Sequence, residues 1–296
     1  MDRAKVVACL IAIALAGCGG GRGRRVVVGS KNFTEQVILG EILAQQIERA
    51  GIPAERKLNL GGTLLAHEAL AGGSIDLYPE YTGTALTAVL KQPVSSDPAA
   101  VYDRVRAEYE KRWRLAWLKP FGFDNTFAMI VRGDSARQSG LATLSDAARR
   151  AAPWTLGAGY EFEQRPDGLA GLEKTYGLRL AGSPLVMDLG LLYQALQSRK
   201  VEMVAGSATD AQIARLNVVV LRDDKRYFPP YQCAVVVRDE TLARFPALRS
   251  ALDELSGSLN DEAMRKLNYA VDGQHRSVRD VAKEWLDRRA ASRTGR

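Results

Sequence analysis

The sequence contains few of the residues that form metal sites, disulfide frameworks and nucleophilic centres. Its 296 residues include only three cysteines and two histidines. His67 and His275 lie far apart in sequence, with no cysteine or carboxylate at ligand spacing, so the pattern predicts no metal site. Cys233 is the one cysteine after residue 18, which excludes an internal disulfide in that part of the chain. Its position in the run QCAVVV indicates a small buried residue rather than a nucleophile.

The sequence also lacks an apolar run of the roughly 20 residues needed to span a membrane. The run from Val6 to Ala16 follows basic residues and precedes small ones, which is the order of an export signal. Its end, LAGC, resembles the lipobox of bacterial lipoproteins, which implies cleavage before Cys18 and acylation of its sulfur. We therefore predict a signal peptide over 1–17, a lipid anchor at Cys18 and a flexible tether over 18–25. The alternative is a signal peptide without a lipid.

Neither apolar nor charged residues are scarce. Hydrophobic residues make up 46% of the sequence and charged residues 25%, and both fractions are typical of a soluble globular protein. The net charge of +7 raises nucleic acid as a partner. However, an exported protein rarely meets nucleic acid, and much of the excess lies at the two chain ends. A solvated face or an anionic lipid surface is the better interpretation, and no nucleic-acid partner is predicted.

From Arg25 onward, short β-branched runs alternate with segments of helical periodicity. Thr34 as N-cap begins a helix whose apolar residues recur every three or four positions until Gly51. This alternation predicts two α/β units with mostly parallel sheets and helices on their faces. Strands are predicted at 25–29, 54–60, 74–78, 154–159, 201–206, 217–221 and 233–237; helices are predicted at 34–51, 63–73, 143–152, 169–177 and 189–200, with three more from 241 to the end.

An internal repeat relates the two units. Residues 68–77 (EALAGGSIDL) match residues 194–203 (QALQSRKVEM) at a constant offset of 126. The same offset places Tyr81 on Ser207, so the loops EYTGT and GSATD follow equivalent strands. Open α/β sheets bind ligands at the carboxyl ends of their strands. Two similar units with polar and aromatic residues at that edge predict a cleft that closes on a solute.

Seven motifs occur in this order along the chain: GSKNFTEQVILGE, GGTLLAHEAL, DLYPEYTGTAL, GFDNTFAM, RPDGL, DDKRYFPPY and MRKLNYAVDG. Together they resemble the substrate-binding proteins of ABC importers for glycine betaine, choline and related osmoprotectants. The resemblance runs from about Val26 to about Leu286. It implies an α/β protein with the type II periplasmic-binding-protein fold, in which two lobes are joined by two crossings around an interlobe cleft. Lobe 1 then comprises 26–125 plus 228–296, lobe 2 comprises 126–227, and the last helices fold back onto lobe 1.

The family's ligand explains these residue types. A quaternary ammonium has no N–H to donate and spreads its charge over methyl groups, so aromatic faces suit it better than a carboxylate does. The resemblance implies cage positions at Tyr81, Phe127, Ser207 and Tyr231. Phe127 lacks the tyrosine hydroxyl of the family pattern and Ser207 lacks the ring, so Tyr160 is a candidate replacement ring. The resemblance further implies that a carboxylate tail is held by Lys31, Thr84 and Arg165.

Most of these positions also have a purely structural explanation. Lys31 could form a cap or a salt bridge on the surface, and Arg165 precedes a turn and could pair with a neighbouring acid. Phe127 could be ordinary core, and Tyr231 could pack beside the prolines at the crossing. Glu80, next to the cage, is expected to form a structural ion pair rather than to touch the ligand.

The resulting prediction is a non-catalytic, monomeric, lipid-anchored binding protein on the outer side of the cytoplasmic membrane, without cofactors. It would capture a quaternary-ammonium osmolyte and deliver it to an ABC permease with its ATPase. The alternative is an exported enzyme on the same two-lobed fold. Such an enzyme would need a nucleophile or an acid–base pair at the cleft, for which Cys233 or Glu80 with Asp210 are weak candidates.

Overall fold

The computed structural model describes residues 25–294, which form two five-stranded sheets with helices packed on them. The predicted signal peptide, the lipid anchor at Cys18 and all but the last residue of the tether lie outside the described residues. Within 25–294, no helix combines the length and the apolar character that a membrane span requires.

The first sheet contains strands from both ends of the described chain: β1 (Val26–Gly29), β2 (Ala54–Lys57), β3 (Leu77–Tyr81), β4 (Leu115–Trp117) and β10 (Cys233–Arg238). Their order is β2, β1, β3, β10, β4. β1 is parallel to β2 and β3, whereas β10 is antiparallel to β3 and β4. The sheet is therefore mixed: four of its five strands run in the same direction, as predicted for a mostly parallel sheet, and β10 alone runs the opposite way. β10 joins the sheet only after the chain has built the second sheet, so no crossover helix fixes its direction.

The second sheet contains β5 (Phe127–Arg132), β6 (Leu156–Ala158), β7 (Leu185–Val186), β8 (Met203–Ser207) and β9 (Val218–Leu221). Their order is β7, β6, β8, β5, β9, and β5 is antiparallel to both of its neighbours. β3 and β8 begin and end at residues that differ by the predicted offset of 126. Each also has one parallel and one antiparallel neighbour, so the internal repeat corresponds to equivalent places in the two sheets.

Helices cover the faces of both sheets. The helix Thr34–Arg49 carries a fully buried apolar stripe that includes Ile38, Ile42 and Ile47 and packs in one core with strand residues of the first sheet. Three C-terminal helices contact this helix, as the resemblance implies for lobe 1. In chain order the helices are α1 (Thr34–Arg49), α2 (Thr63–Ala71), α3 (Thr82–Thr84, continued by the π-helical Ala85–Val89), α4 (Pro98–Trp113), α5 (Gly133–Ser139), α6 (Leu144–Arg149), α7 (Tyr160–Gln164), α8 (Leu169–Tyr176), α9 (Leu192–Gln197, after the 3-10 turn Leu189–Leu191), α10 (Ala211–Arg215), α11 (Asp239–Arg244), α12 (Pro246–Asp253), α13 (Asp261–Asp272) and α14 (Val278–Thr294).

Several predicted bounds differ from the structure, and three local differences have a clear physical reason. Thr34 is the first residue of α1 rather than its N-cap, because its hydroxyl donates to Asp272 Oδ1 at 2.7 Å instead of capping the helix. β3 begins later than predicted and continues to Tyr81, because antiparallel pairing with β10 extends that far. Four described helices, not three, follow β10, since a break at Phe245 separates α11 from α12.

The two crossings that the resemblance implies, near 124–126 and near 227–230, lie where two segments of the chain run side by side. Asp124 and Gln232 form an antiparallel bridge, and the Asn125 N–H donates to the Tyr231 carbonyl at 3.2 Å. Every strand of the first sheet falls within the predicted lobe 1, and every strand of the second falls within lobe 2. The lobe boundaries themselves stay a prediction, and the names lobe 1 and lobe 2 are used below in that sense.

Candidate functional site

The candidate site lies where the two sheets present the ends of their central strands. Tyr81 ends β3 and pairs with Cys233 of β10, while Ser207 ends β8 and pairs with Phe127 of β5. Tyr231 lies two residues before β10. A Cβ placed on Gly83 would lie 3.0 Å from the Tyr231 ring, so the start of α3 and the chain around Tyr231 approach each other closely.

Aromatic rings from both lobes meet at this place. Phe127 and Tyr231 are 5.5 Å apart between ring centroids at an interplanar angle of 75°, an edge-to-face contact. Phe162 and Phe228 lie 5.0 and 5.9 Å from Phe127. Phe127 therefore packs against apolar side chains, as expected if it is an ordinary core residue. It also contacts the ring of Tyr231. Phe162 and Phe228 are not identified from the sequence.

Tyr81 has a separate aromatic neighbour. Phe33 stacks on it at 6.2 Å between centroids, with the ring planes 22° apart. Phe33 belongs to the motif GSKNFTEQ, in which the resemblance implies a ligand-binding role for Lys31 only. Tyr160, the candidate replacement ring, is 70% exposed at the start of α7 and does not join the buried rings in this structure.

Lys31 and Glu80 form a buried ion pair. Lys31 Nζ lies 2.6 Å from Glu80 Oε1, and both side chains are almost inaccessible to solvent. Glu80 also accepts hydrogen bonds from the Tyr78 hydroxyl at 2.9 Å and from the Tyr81 N–H at 2.6 Å. The structural role expected for Glu80 is thus confirmed, and the surface location considered for Lys31 is wrong. Lys31 Nζ additionally lies 5.1 Å from the centroid of the Tyr81 ring.

Arg165 is held by an acid two residues away. Its Nε and Nη2 donate to the two carboxylate oxygens of Asp167 at 2.9 and 2.5 Å, a bidentate pair. Its Nη1 donates across the cleft to Thr84 Oγ1 at 3.0 Å. Asp167 also accepts from the Tyr231 hydroxyl at 2.6 Å. The pairing with a neighbouring acid considered for Arg165 is confirmed, and the pair bridges the predicted lobes.

The guanidinium of Arg165 also faces the aromatic rings. Its central carbon lies 5.1 Å from the Phe127 centroid and 5.6 Å from the Tyr231 centroid. These distances are within the range of cation–π interaction. The structure thus brings together Lys31, Tyr81, Thr84, Phe127, Arg165 and Tyr231, with Ser207 beside Phe127 in the strand ladder.

A carboxylate that the sequence does not single out closes the edge of the site. Glu161 of α7 accepts from the Thr63 N–H at 2.6 Å and from the Thr63 hydroxyl at 2.9 Å, at the first residue of α2. Its Oε2 lies 3.5 Å from Arg165 Nη1. Thr63 belongs to lobe 1 and Glu161 to lobe 2, so this contact also joins the lobes.

A second carboxylate, Glu35 of α1, lies buried behind Tyr81. It accepts four hydrogen bonds from side chains of four different segments. Burial raises the pKa of Glu35 above its usual value, although these hydrogen bonds oppose the shift. The network thus ties Tyr81, a predicted cage residue, to a predicted crossing, to lobe 2 and to a C-terminal helix. The donors are Tyr81 Oη (2.6 Å), Asn125 Nδ2 (2.8 Å), Thr209 Oγ1 (2.5 Å) and Asn268 Nδ2 (3.1 Å).

The remaining reactive side chains do not form a catalytic arrangement in the described residues. Cys233 is fully buried in β10, and burial raises the pKa of its thiol well above the usual value. Asp210 accepts from the Ser207 N–H and the Tyr193 hydroxyl, and burial raises its pKa to about 6. In the described part of the chain, no group of three or more histidine, cysteine, aspartate or glutamate residues is placed to hold a metal ion.

Comparison with known proteins places this geometry in a family. Residues 24–288 match the family model described as the substrate binding domain of ABC-type glycine betaine transport systems. The chain is 33% identical over 282 residues to the carnitine transport binding protein OpuCC of Listeria monocytogenes, covering 94% of this chain and 91% of that protein. A crystal structure of a glycine betaine/carnitine/choline ABC transporter protein superposes with a TM-score of 0.76 at 31% identity, covering 89% of this chain and 98% of that one.

Another relative combines two functions in one chain. The ergothioneine transport permease/ergothioneine binding protein EgtU of Helicobacter pylori (strain G27) is 38% identical over 264 residues. The match covers 89% of this chain but only 47% of that protein, so this chain spans about half the length of that relative. These relatives are solute-binding proteins of transport systems rather than enzymes, and the enzyme alternative has no support among them. The chain belongs to the family of substrate-binding domains of ABC-type glycine betaine transport systems, with the type II periplasmic-binding-protein fold.

Proposed function

We propose that this chain is the lipid-anchored, extracytoplasmic binding component of an ABC importer, and that it captures a quaternary-ammonium osmoprotectant between its lobes. Glycine betaine, choline and related betaines are the ligand class. The acylated Cys18 holds the protein at the membrane, where it meets the permease. The protein acts as a monomer and carries out no chemistry on its ligand.

The observation that carries this proposal is the placement of a delocalised cation against aromatic faces. The Arg165 guanidinium lies within cation–π distance of Phe127 from lobe 2 and Tyr231 from lobe 1. Like a quaternary ammonium, a guanidinium spreads its charge over a broad, weakly hydrated group. A site that accommodates one such cation beside Phe127 and Tyr231 suits the methylated cation of a betaine or of choline.

Closure of the lobes around the ligand is the change that allows the protein to deliver the ligand to the permease. Bonds between the lobes, such as Arg165 to Thr84 and Glu35 to Thr209, are made only when the lobes approach each other. A ligand that contacts both lobes shifts the equilibrium toward the closed state by the difference in its affinity for the two states. The permease can then distinguish a loaded protein from an empty one.

A bulkier betaine is a second candidate ligand. Ser207, which pairs with Phe127, has a small side chain where the family pattern has a ring, and the smaller side chain occupies less of the space that a larger substituent would need. Ergothioneine, for which the Helicobacter relative is named, belongs in the ligand panel for this reason.

Equilibrium dialysis tests the proposal. Purified protein is dialysed against labelled glycine betaine, choline, proline betaine and ergothioneine, with arginine as a cation that is not a quaternary ammonium. We expect saturable binding of at least one quaternary ammonium with a Kd far below 1 mM, and weaker binding of arginine. A Kd above about 1 mM for every member of the panel, equivalent to roughly −4 kcal/mol, would overturn the ligand assignment.

Substitution of Glu35 tests whether closure depends on the buried network. Glu35→Gln replaces two acceptor oxygens by one, so at least one of the four buried donors faces an N–H group. Leaving a buried polar group unpaired costs about 1–3 kcal/mol. Because two of the donors, on Asn125 and Thr209, belong to the crossing and to lobe 2, we expect ligand affinity to fall by roughly tenfold or more. Isothermal titration calorimetry measures the effect.

Glu48→Gln provides the matched control for Glu35→Gln. Glu48 lies on the same helix, is exposed, and pairs with Arg56 away from the cleft. The control removes the same charge and should leave ligand affinity within about twofold of the wild type. Equal affinities for the two variants would show that the Glu35 network plays no part in binding.

A further inference from the structure

Glu161 lies among the residues expected to hold a ligand's carboxylate. Its Oε2 is 3.5 Å from Arg165 Nη1, and that same nitrogen donates to Thr84 Oγ1 at 3.0 Å. Lys31 Nζ donates to Thr63 Oγ1 at 3.1 Å, and the Thr63 hydroxyl in turn donates to Glu161 at 2.9 Å. All three predicted tail-binding residues are therefore within two hydrogen bonds of this one carboxylate.

The local backbone is shaped to receive the Glu161 side chain. Its Oε1 accepts the Thr63 N–H at 2.6 Å at the start of α2, where the helix dipole favours an anion. A Cβ placed on Gly62 would lie only 2.8 Å from that oxygen, so a side chain at position 62 would push the carboxylate away. The N–H group, the hydroxyl and the missing side chain together form a seat for a carboxylate.

Both cations near this seat are already paired with carboxylates of the chain. Lys31 is paired with Glu80, and Arg165 is paired with Asp167. Burial acts to raise the pKa of Glu161, yet Lys31, the Thr63 N–H and Arg165 together lower it below the usual value, so the side chain is ionised at neutral pH. Lys31 and Arg165 thus face three carboxylates, those of Glu80, Asp167 and Glu161. Neither cation is available to pair with the carboxylate of a ligand.

We infer that Glu161 occupies the carboxylate subsite of the cleft and gives the protein a preference for quaternary ammonium ions without a carboxylate, such as choline, over zwitterions such as glycine betaine. The inference rests on the proposed function. A glycine betaine carboxylate must either displace Glu161 from its seat or lie beside it as a like charge. Choline has a hydroxyl at that end, which can donate to the Glu161 carboxylate, so it meets no such penalty.

The test is a ratio of two affinities measured on the same protein. The Kd of glycine betaine divided by the Kd of choline cancels any effect that a substitution has on lobe closure itself, because both ligands require closure. We expect this ratio to exceed 1 in the wild type. In Glu161→Gln, whose side-chain amide can donate to a ligand carboxylate, we expect the ratio to fall by about tenfold.

Two further variants make the result specific. Glu163→Gln removes the same charge two positions along α7, where the side chain has no described partner, and should change the ratio by less than about twofold. Gly62→Ala keeps the charge of Glu161 but obstructs its seat, and should lower the ratio in the same direction as Glu161→Gln. Gly62→Ala also provides the test if Glu161→Gln does not fold, as judged by circular dichroism.

The outcomes separate this inference from the proposed function. If the wild type binds both ligands and neither Glu161→Gln nor Gly62→Ala changes the ratio, Glu161 is only a closure contact and the inference is wrong. A wild-type preference for glycine betaine over choline also contradicts it. If the wild type binds no quaternary ammonium at all, the proposed function fails, and the inference fails with it.

Discussion

Replacing Lys31 with methionine is expected to lower the free energy of unfolding by about 3–5 kcal/mol, because it leaves the buried carboxylate of Glu80 without its cation. Glu80 is completely buried and would keep only the hydrogen bonds from the Tyr78 hydroxyl and the Tyr81 N–H. The pair lies within lobe 1, so the loss affects the folded protein whether or not the cleft is closed. Urea denaturation followed by circular dichroism measures it.

Two companion variants identify the cause of that loss. Lys266→Met removes a lysine from an exposed pair with Glu262 on α13 and should cost less than about 1 kcal/mol. Adding Glu80→Gln to Lys31→Met removes the stranded charge and should recover roughly half of the lost stability. A loss for Lys31→Met no larger than that for Lys266→Met would mean that the buried pair contributes nothing to folding.

Tyr81→Leu is expected to produce the largest loss of ligand affinity among single substitutions of the cage. Removing one aromatic face costs roughly 0.5–2 kcal/mol of cation binding. Removing the hydroxyl takes away one of the four donors to Glu35, a change that costs about 1–3 kcal/mol when the acceptor is buried. Together these effects predict a rise in Kd on the order of 10- to 4000-fold, measured by isothermal titration calorimetry.

Tyr81→Phe separates the two contributions, because it removes the hydroxyl and keeps the ring. Its affinity should lie between those of the wild type and Tyr81→Leu. Tyr160→Leu is the matched control, since Tyr160 is 70% exposed, and its Kd should stay within about twofold of the wild type. If instead Tyr160→Leu weakens binding and Tyr81→Leu does not, the cation is held by Tyr160, the candidate ring for the missing wall.

The order of strands and helices could be largely predicted from the sequence. Local patterns indicate which segments and faces are buried. Examples are the β-branched runs at Val26 and Cys233 and the three- and four-residue periodicity of α1. The offset of 126 located β3 and β8 correctly relative to each other. The directions of β5 and β10 could not be predicted, because strand direction depends on which distant segment supplies the hydrogen-bonding partner.

The candidate site was predicted less completely. The motifs identified Lys31, Tyr81, Thr84, Phe127, Arg165 and Tyr231, which the structure places close together, but they assigned no role to Glu35, Glu161 or Asp167. Asp167 carried a local signal, because it follows Arg165 by two residues. Glu35 lies within a motif and Glu161 lies near one, but no local pattern indicates a role for either carboxylate. Their partners Tyr81 and Thr63 lie 46 and 98 residues away in sequence.

The sequence by itself determined the alternation of strands and helices, the repeat of the two units and the residue types that favour a methylated cation. Those features depend on local periodicity and on side-chain chemistry, which each residue carries with it. The tertiary structure alone decided that Lys31 and Arg165 are each neutralised by a partner, and that Glu161 lies between them. Charge pairing depends on distances of a few ångströms between segments far apart in the chain, and only folding fixes those distances.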